Sequence, residues 1–360
     1  MKILHIHPSM QGGGIESMIC GLANEMAETE DVTVCSIFEP KESDVFWGKL
    51  SPKVKKTHLG KRKPGFSIKE IFKIFNFIRK GNFDAVSLHG FMFYYILSVV
   101  FLHSKVKFFY TVHSDAKMEC SGWDKKFFAI KRFFFRHGWV RPITISDVSK
   151  QSFTDFYGCD SHLIFNGVPR PALSGENPVK KYRKTADTVV FIHAGRIDTP
   201  KNQVVLCKVF DRIIRTGQDA VLLIAGSKQK EQIYEQLVPY FSDRIIYLGE
   251  RNDVPQLMSC SDAMCLPSIW EGLPVTLLES LSVGCVPICS PVGGIPDVIS
   301  DGENGILSAS SGEEDYLCAV MRYLEMSIEQ RKNLAGRVRS SFEKYDISNT
   351  AKEYIKYYLS

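Results

Sequence analysis

The chain has 360 residues, 44% hydrophobic and 24% charged, a globular composition that excludes a disordered, collagen-like or low-complexity protein. At roughly 100–200 residues per domain, this length predicts two domains. The net charge of +5 is unevenly spread: residues 1–170 carry 24 Lys and Arg against 16 Asp and Glu, the remainder 21 against 24, so the first half is suited to an anionic partner. The ten cysteines are dilute, form no CxxC pair and sit partly in apolar runs, which predicts a reducing compartment and no zinc finger. The N-terminus turns polar after seven residues, unlike a signal peptide. The longest uncharged apolar stretch nearby, 91–102, has 12 residues where a membrane span needs about 20. A cytoplasmic protein is expected.

In chain order, residues 2–7 form a short apolar strand and 9–14 a glycine-rich turn. Ile15, Met18, Ile19, Leu22, Ala23 and Met26 then fall at helical spacing. Strands follow at 32–38, 84–88, 107–112, 142–145 and 162–165, two of them running into His89 and His113. Residues 169–187, with three prolines and little hydrophobicity, mark a linker or domain edge. The same pattern then restarts. Strands are expected at 189–194, 220–225, 245–248, 263–266 and 286–290, helices at 202–215 and 274–283, and a charged helical tail from 315. Strands alternating with helices predict two α/β domains, 1–168 and 188–344, each a doubly wound parallel sheet, with ligands at the carboxyl ends of the strands.

Gly12-Gly13-Gly14-Ile15-Glu16 joins the first strand to the first helix, where bare backbone and a helix N-terminus suit a phosphate; a plain tight turn is the alternative. Position 17 is Ser where a dinucleotide fingerprint has its third glycine, which weakens a dehydrogenase reading. After the second domain's first strand, Arg196 and Lys201 flank a short loop. A planar fork and a point charge suit a diphosphate, and plain surface is the alternative. Between Ser268 and Gly284, Pro274 is expected in the first helical turn, leaving Glu271 in the loop beside free amides. Glu279 falls inside an apolar helix, where a carboxylate needs a partner such as a sugar hydroxyl; a capping and a solvated glutamate are the alternative. His89 and His113 stand at the ligand edge, while His5 and His193 read as core. No metal-ligand spacing and no Asp-x-Asp occur, so no metal is expected. No helix-turn-helix or RNP pattern accompanies the basic segments, so no nucleic acid is expected.

Two segments, 53–80 and 125–141, interleave aromatic residues with cations. In the second, Lys125, Lys126, Lys131, Arg132 and Arg136 alternate with Phe127, Phe128, Phe133, Phe134, Phe135 and Trp139. That combination predicts docking on an anionic membrane surface, with an ordinary core helix as the alternative.

The glycine run, the strand end Ile145-Ser-Asp147, Ile164-Phe-Asn-Gly-Val168, the GRIDTPKN segment from Gly195, Glu271 with Glu279, and VGGIPDVI from Val292 occur in an order that resembles family 4 of the retaining glycosyltransferases, over nearly the whole chain. The resemblance implies the GT-B fold, two Rossmann-like domains facing a central cleft, with residues 345–360 crossing back onto the first. It implies transfer from a nucleotide-sugar with retention, no cofactor and no required metal. Arg196 and Lys201 would hold the donor diphosphate, with Gly13 and Gly14 closing on it. Glu279 would bind the ribose, and Glu271 with the amides of Gly272 and Leu273 the donor sugar. His113 would touch that sugar near its reacting carbon, and Glu16 would face the acceptor. Asp297 stands where the family often has glutamate, a conservative departure. A hexose or N-acetylhexosamine would pass, from a UDP-sugar by preference, to a hydroxyl of a lipid-linked glycan in surface polysaccharide biosynthesis. A nucleotide-sugar epimerase and a non-catalytic sugar- or nucleotide-binding protein are the alternatives.

Overall fold

In the computed structural model the chain forms two compact units, Met1–Pro169 with Tyr345–Ser360, and Arg170–Lys344. Residues 1–360 are described except Gly12, Ser43, Phe91 and Ser98, with backbone only at Val99 and Val100. The glycine run at Gly12 and the apolar stretch 91–102 therefore lie partly outside the described residues.

The first unit runs β1 (Lys2–His7), α1 (Gly14–Met26), β2 (Asp31–Phe38), α2 (Phe46–Lys49), β3 (Lys55–Lys61), α3 (Ile68–Gly81), β4 (Ala85–His89), α4 (Val99–Leu102), β5 (Lys107–Val112), α5 (Ala116–Glu119), α6 (Phe128–Arg136), β6 (Val140–Thr144), α7 (Asp147–Tyr157) and β7 (His162–Leu163). Its strands pair in parallel in the order β3-β2-β1-β4-β5-β6-β7. Successive side chains of a strand face opposite sides, so a sheet covered on both faces reads as an unbroken apolar run. Ile3 thus packs with Val34 and Phe109 beneath α1, while Leu4 and Ile6 pack with Leu88, Phe108 and Tyr110 on the other face. The strand missing from the sequence reading is β3. It is an edge strand with Lys55 and Lys56 in solvent, and such an edge carries no apolar alternation.

The second unit runs β8 (Val189–Ala194), α8 (Gln203–Arg215), β9 (Ala220–Ala225), α9 (Glu231–Leu237), β10 (Ile245–Gly249), α10 (Val254–Cys260), β11 (Ala263–Leu266), α11 (Val275–Val283), β12 (Val286–Cys289), β13 (Ile306–Leu307), α12 (Glu313–Leu324) and α13 (Ile328–Ser341). Its parallel order is β10-β9-β8-β11-β12-β13. The two residues of β13 are too few for a sequence period. The proline-containing segment 170–187 packs on this unit. Val179 is fully buried, Ser174 N–H donates to Gln256 Oε1 (2.8 Å), and Arg183 is paired with Asp262 (2.8 Å).

The chain then returns to the first unit through α14 (Ile347–Leu359), whose buried stripe of Ile347, Ala351, Tyr354 and Tyr358 packs with α1 residues in one core. The Phe-Asn-Gly-Val segment makes this return possible. Val168 N–H donates to Tyr345 O (3.0 Å) and Ile347 N–H to Val168 O (3.1 Å). A Cβ on Gly167 would stand 2.9 Å from Ile347 Cα, which is backbone and cannot swing away. Gly167→Ala is therefore expected to destabilise the first unit by about 1–3 kcal/mol. Calorimetry should show a melting temperature several degrees lower, and an unchanged one would contradict this docking role.

Within the second aromatic and basic segment, Lys131, Phe134 and Phe135 differ from the expectation of an outward face. Lys131 of α6 is 1% exposed, with its ammonium 4.0 Å from the Tyr110 ring centroid, and Phe134 and Phe135 are buried. Burial lowers the Lys131 pKa, against the opposing pull of Asp124 and Glu119. Lys131 is thus a core cation and meets no membrane; the aromatic rings around it complete the core between α6 and the sheet. The first segment does keep an outward apolar row, with Ile68 and Phe72 of α3 exposed beside the exposed Lys69.

Candidate active site

In open parallel sheets the strand order reverses at one point, the loops there part, and ligands bind at the carboxyl edge. The reversal lies between β1 and β4 in the first unit and between β8 and β11 in the second. The residues singled out from sequence collect at these two points.

In the first unit, Gly13 caps α1 with extended backbone (φ −170°), a conformation open to any residue. Its missing side chain matters instead for Glu16, whose Oε2 would lie 2.5 Å from a Cβ there. Gly14 begins the helix. Glu16 Oε1 lies 3.7 Å from His7 Nε2, and His7 Nδ1 donates to His89 O (3.0 Å). A line of imidazoles then crosses three neighbouring strands. His5 Nδ1 is 2.9 Å from His89 Nε2, and His89 Nδ1 is 3.3 Å from His113 Nε2. Burial holds His5 down to about 4 and His89 well below the usual value. His113 is held down to about 3, by burial first and then by His7. All three are neutral near pH 7, so each ring carries one proton. His5 Nε2 is buried without a partner among the described residues, and an orphan lone pair costs less than an orphan N–H. The network therefore assigns N–H to the Nδ1 atoms of His5 and His89, and leaves His113 with Nε2 as acceptor and Nδ1–H as donor.

The loop carrying His113 is held by Glu119, whose Oε1 accepts from His113 N–H (2.6 Å) and Ser114 Oγ (3.1 Å). Burial pushes the Glu119 carboxyl up to about 7, with Lys131 pulling the other way. Sequence reasoning missed His7 and Glu119. His7 had a signal, since His5-Ile-His7 places both rings on one face of a strand; Glu119 had none.

These shifts give a pH dependence. A histidine with a depressed folded pKa stabilises the fold above its ordinary value near 6.5, and that stability is lost as pH falls toward 4. Glu119 acts oppositely: its contribution is present below 4.5 and lost as pH rises through about 7. Three buried histidines outweigh one carboxyl, so the first unit is expected to lose a few kcal/mol between pH 6.5 and pH 4, on the order of the group-by-group linkage. Urea midpoints at pH 6.5 and 5 check this. A higher midpoint at pH 5 would contradict the histidine assignment.

In the second unit the loop after β8 and the loop after β11 are tied together by backbone. Ile269 N–H donates to Pro200 O (2.8 Å), and Asn202, at φ +57°, donates its Nδ2 to Pro267 O and Ser311 O (both 3.0 Å). This brings Lys201 Nζ to 2.6 Å from Glu271 Oε1, which also accepts from Ser268 Oγ (2.7 Å). The pair is mostly buried, with side-chain exposures of 19% and 10%. Lys201 is therefore half of an ion pair, a partnership the sequence reading did not foresee. Arg196 is exposed, and among the described residues its guanidinium makes no hydrogen bond or ion pair. Gln203 Nε2 donates to Arg196 O (2.8 Å) and lies 3.1 Å from His193 Nε2. His193 Nδ1 donates to Cys265 O (2.9 Å), and burial lowers its pKa to about 4, so it is a neutral brace between the loops.

The Glu271-Gly272-Leu273 loop precedes α11. Pro274 is the N-cap rather than a first-turn residue, so the helix starts one residue later than expected. Among the described residues the amides of Gly272 and Leu273 donate to no backbone carbonyl. Gly293, at φ +57°, closes on this loop: a Cβ there would meet Glu271 O at 2.1 Å, and Gly294 N–H donates to Gly272 O (2.7 Å). The VGGIP glycines thus clamp the loop that carries Glu271. Glu279 lies partly buried in α11, next to the buried Leu278 and Ser280.

Known proteins share this pattern. The model described as Glycosyltransferase Family 4 matches residues 12–170, and the one described as Glycosyl transferases group 1 matches residues 176–340. The N-acetyl-alpha-D-glucosaminyl L-malate synthase of Bacillus anthracis is 29% identical over 181 residues, 49% of this chain and 46% of that protein. The UDP-Gal:alpha-D-GlcNAc-diphosphoundecaprenol alpha-1,3-galactosyltransferase of Escherichia coli is 27% identical over 194 residues, 50% of each chain. These matches span about half the length of the curated relatives. Anabaena Alr3699/HepE, solved with UDP and glucose, superposes with a TM-score of 0.81 over 100% of both chains at 16% identity. With two doubly wound parallel sheets, motifs at both switch points and both family models matched, the chain belongs to the family 4 glycosyltransferases and has their GT-B fold.

Proposed function

We propose that the protein is a retaining glycosyltransferase that moves a hexose or N-acetylhexosamine from a UDP-sugar to a hydroxyl of a lipid-linked glycan, without a metal. One observation carries the reading: at the switch point of the second unit, the loop after β8 carries an exposed Arg196, whose guanidinium makes no hydrogen bond or ion pair among the described residues, and a Lys201 paired with Glu271, whose loop holds the Gly272 and Leu273 amides that donate to no backbone carbonyl among the described residues. Arg196, with Lys201, grips the diphosphate and stabilises the charge that develops on its leaving oxygen. Glu271 and the two amides hold hydroxyls of the donor sugar, and Glu279 those of the ribose. Gly13 and Gly14 offer the α1 helix start to the diphosphate. His113 donates its Nδ1–H to a sugar oxygen near the reacting carbon, and Glu16 orients the acceptor. The bond from the anomeric carbon to the diphosphate breaks, the acceptor oxygen bonds to that carbon on the same face, and its proton passes to the departing phosphate. UDP leaves.

The name of the E. coli relative, with its UDP-Gal donor and diphosphoundecaprenol acceptor, supports both substrate classes. The UDP and glucose of the Anabaena structure support the donor. Among the described residues no helix is long and apolar enough to cross a membrane. A lipid-linked acceptor is instead met by docking the first unit on an anionic cytoplasmic face. Exposed Ile68 and Phe72 of α3, with Lys63, Lys69, Arg79 and Lys80, supply the apolar and cationic contacts for this.

The test mixes the protein with UDP-sugars and a polyprenyl-diphosphate-linked sugar, in EDTA, and reads the product's anomeric configuration by NMR. Transfer with retention in EDTA is expected. Conversion of the donor without any acceptor would establish an epimerase instead. Loss of activity on chelation, restored by magnesium, would move the diphosphate onto a metal. The likeness to the Bacillus anthracis enzyme favours a second reading, a small hydroxy acid as acceptor, and transfer to malate in the same assay would select it.

A further inference from the structure

We infer that a cavity of about 720 Å³ in the first unit, between α5, α6 and α7, seats the first isoprene units of a polyprenyl-diphosphate acceptor, with Lys117 and Lys125 on its diphosphate. This rests on the lipid-linked reading above. The volume falls in the range of small-molecule sites. Met118, Cys120, Phe128 and Phe156 give the cavity apolar walls, and Lys117 and Lys125 are the charged groups among the described residues that line it. Both lysines are exposed, and neither forms an ion pair among the described residues. Apolar walls with cations and no carboxylate complement an amphiphile with an anionic head. A nucleotide or free sugar would leave the walls in water, and a plain hydrocarbon would leave the lysines unused.

The walls are tied to one another and to the site. Asp115 caps α5 by accepting from Met118 N–H (2.9 Å) and is held by Ser152 Oγ of α7 (2.7 Å), which itself accepts from Ala116 N–H (3.0 Å). Phe128 stacks on Tyr157, with ring centroids 5.5 Å apart, and meets Phe156 at 5.0 Å. Glu119, at the end of α5, binds the His113 amide, so this wall and the His113 loop share one support. A second depression of about 550 Å³ shares Lys117 and Phe156 but is lined by Asp115, Gln151 and Asp155. Lys117 thus stands where the apolar cavity meets a depression that carries the polar groups of Asp115, Gln151, Ser152 and Asp155 beside Val148 and Phe156. A lipid, a diphosphate and a sugar follow one another in the same order along such an acceptor.

Calorimetric titration with farnesyl diphosphate, below its micellar concentration and without donor, tests the seat directly. Farnesol and inorganic diphosphate are the separate arms. Farnesyl diphosphate is expected to bind at least about tenfold more tightly than either part, as apolar pockets discriminate by that order. Met118→Ser should weaken farnesyl diphosphate about tenfold and leave inorganic diphosphate alone, whereas Lys117→Ala with Lys125→Ala should weaken both. Thermal unfolding confirms that these surface variants fold. Equal binding of farnesyl and inorganic diphosphate, or no effect of Met118→Ser, overturns the seat. The underlying reading fails separately, if the wild-type protein transfers sugar to no polyprenyl-diphosphate acceptor in the assay above.

Discussion

Arg196→Ala is expected to lower kcat by about 100–1000-fold, the loss seen when one donor to a charge-developing oxygen is removed. The same change should barely touch stability. The guanidinium is exposed and pairs with no described residue, so its removal orphans no partner and stays within about 0.5 kcal/mol. Steady-state rates together with a melting curve separate the two effects. A variant that melts normally and turns over near the wild-type rate would remove Arg196 from the diphosphate.

Lys201 should behave differently, because its 2.6 Å partner Glu271 is nearly buried. Lys201→Met leaves a carboxylate with Ser268 as its hydrogen-bond donor among the described residues, and breaking such a pair one-sidedly costs about 3 kcal/mol. Lys201→Met with Glu271→Gln removes both charges and should recover much of that stability. Turnover should fall in each single variant by at least about 100-fold, and the double variant should be little worse than the poorer single, since groups acting as a unit are not additive. Urea unfolding and rate measurements on the four proteins form the cycle. Additive losses in both readouts would mean that the two residues act independently, and the pair would then be a structural contact beside the site.

Much of this architecture is legible in the sequence for identifiable reasons. Two-sided burial makes β5, β8 and β9 mostly apolar runs, and they are followed directly by His113, Gly195 and Gly226 at the carboxyl edge. Edge strands lack that signature, so β3 was invisible behind its lysines. In the 125–141 segment composition counts cations without saying which way they point. The helical turn of α6 directs Lys131 inward onto Tyr110 while Lys125, Lys126 and Arg136 stay in solvent. The glycine motifs showed that close approaches were needed, but not to what: Gly167 admits the backbone of α14, and Gly293 admits the Glu271 loop.

By itself, the sequence determined the two doubly wound units, the switch-point loops and the identity of the chemical groups there, because local apolar periodicity and loop composition carry that information over a few residues. Only the tertiary structure decided which groups meet. The Lys201–Glu271 pair spans 70 residues, the His5–His89 contact 84, and Lys107 Nζ reaches Leu359 O across 252. Such pairings depend on strand order and on the packing of loops, and no local pattern encodes them. The neutral state of the histidine line, and the absence of a hydrogen bond or ion pair at the Arg196 guanidinium among the described residues while Lys201 is held, follow from burial and distance, which exist only once the chain is folded.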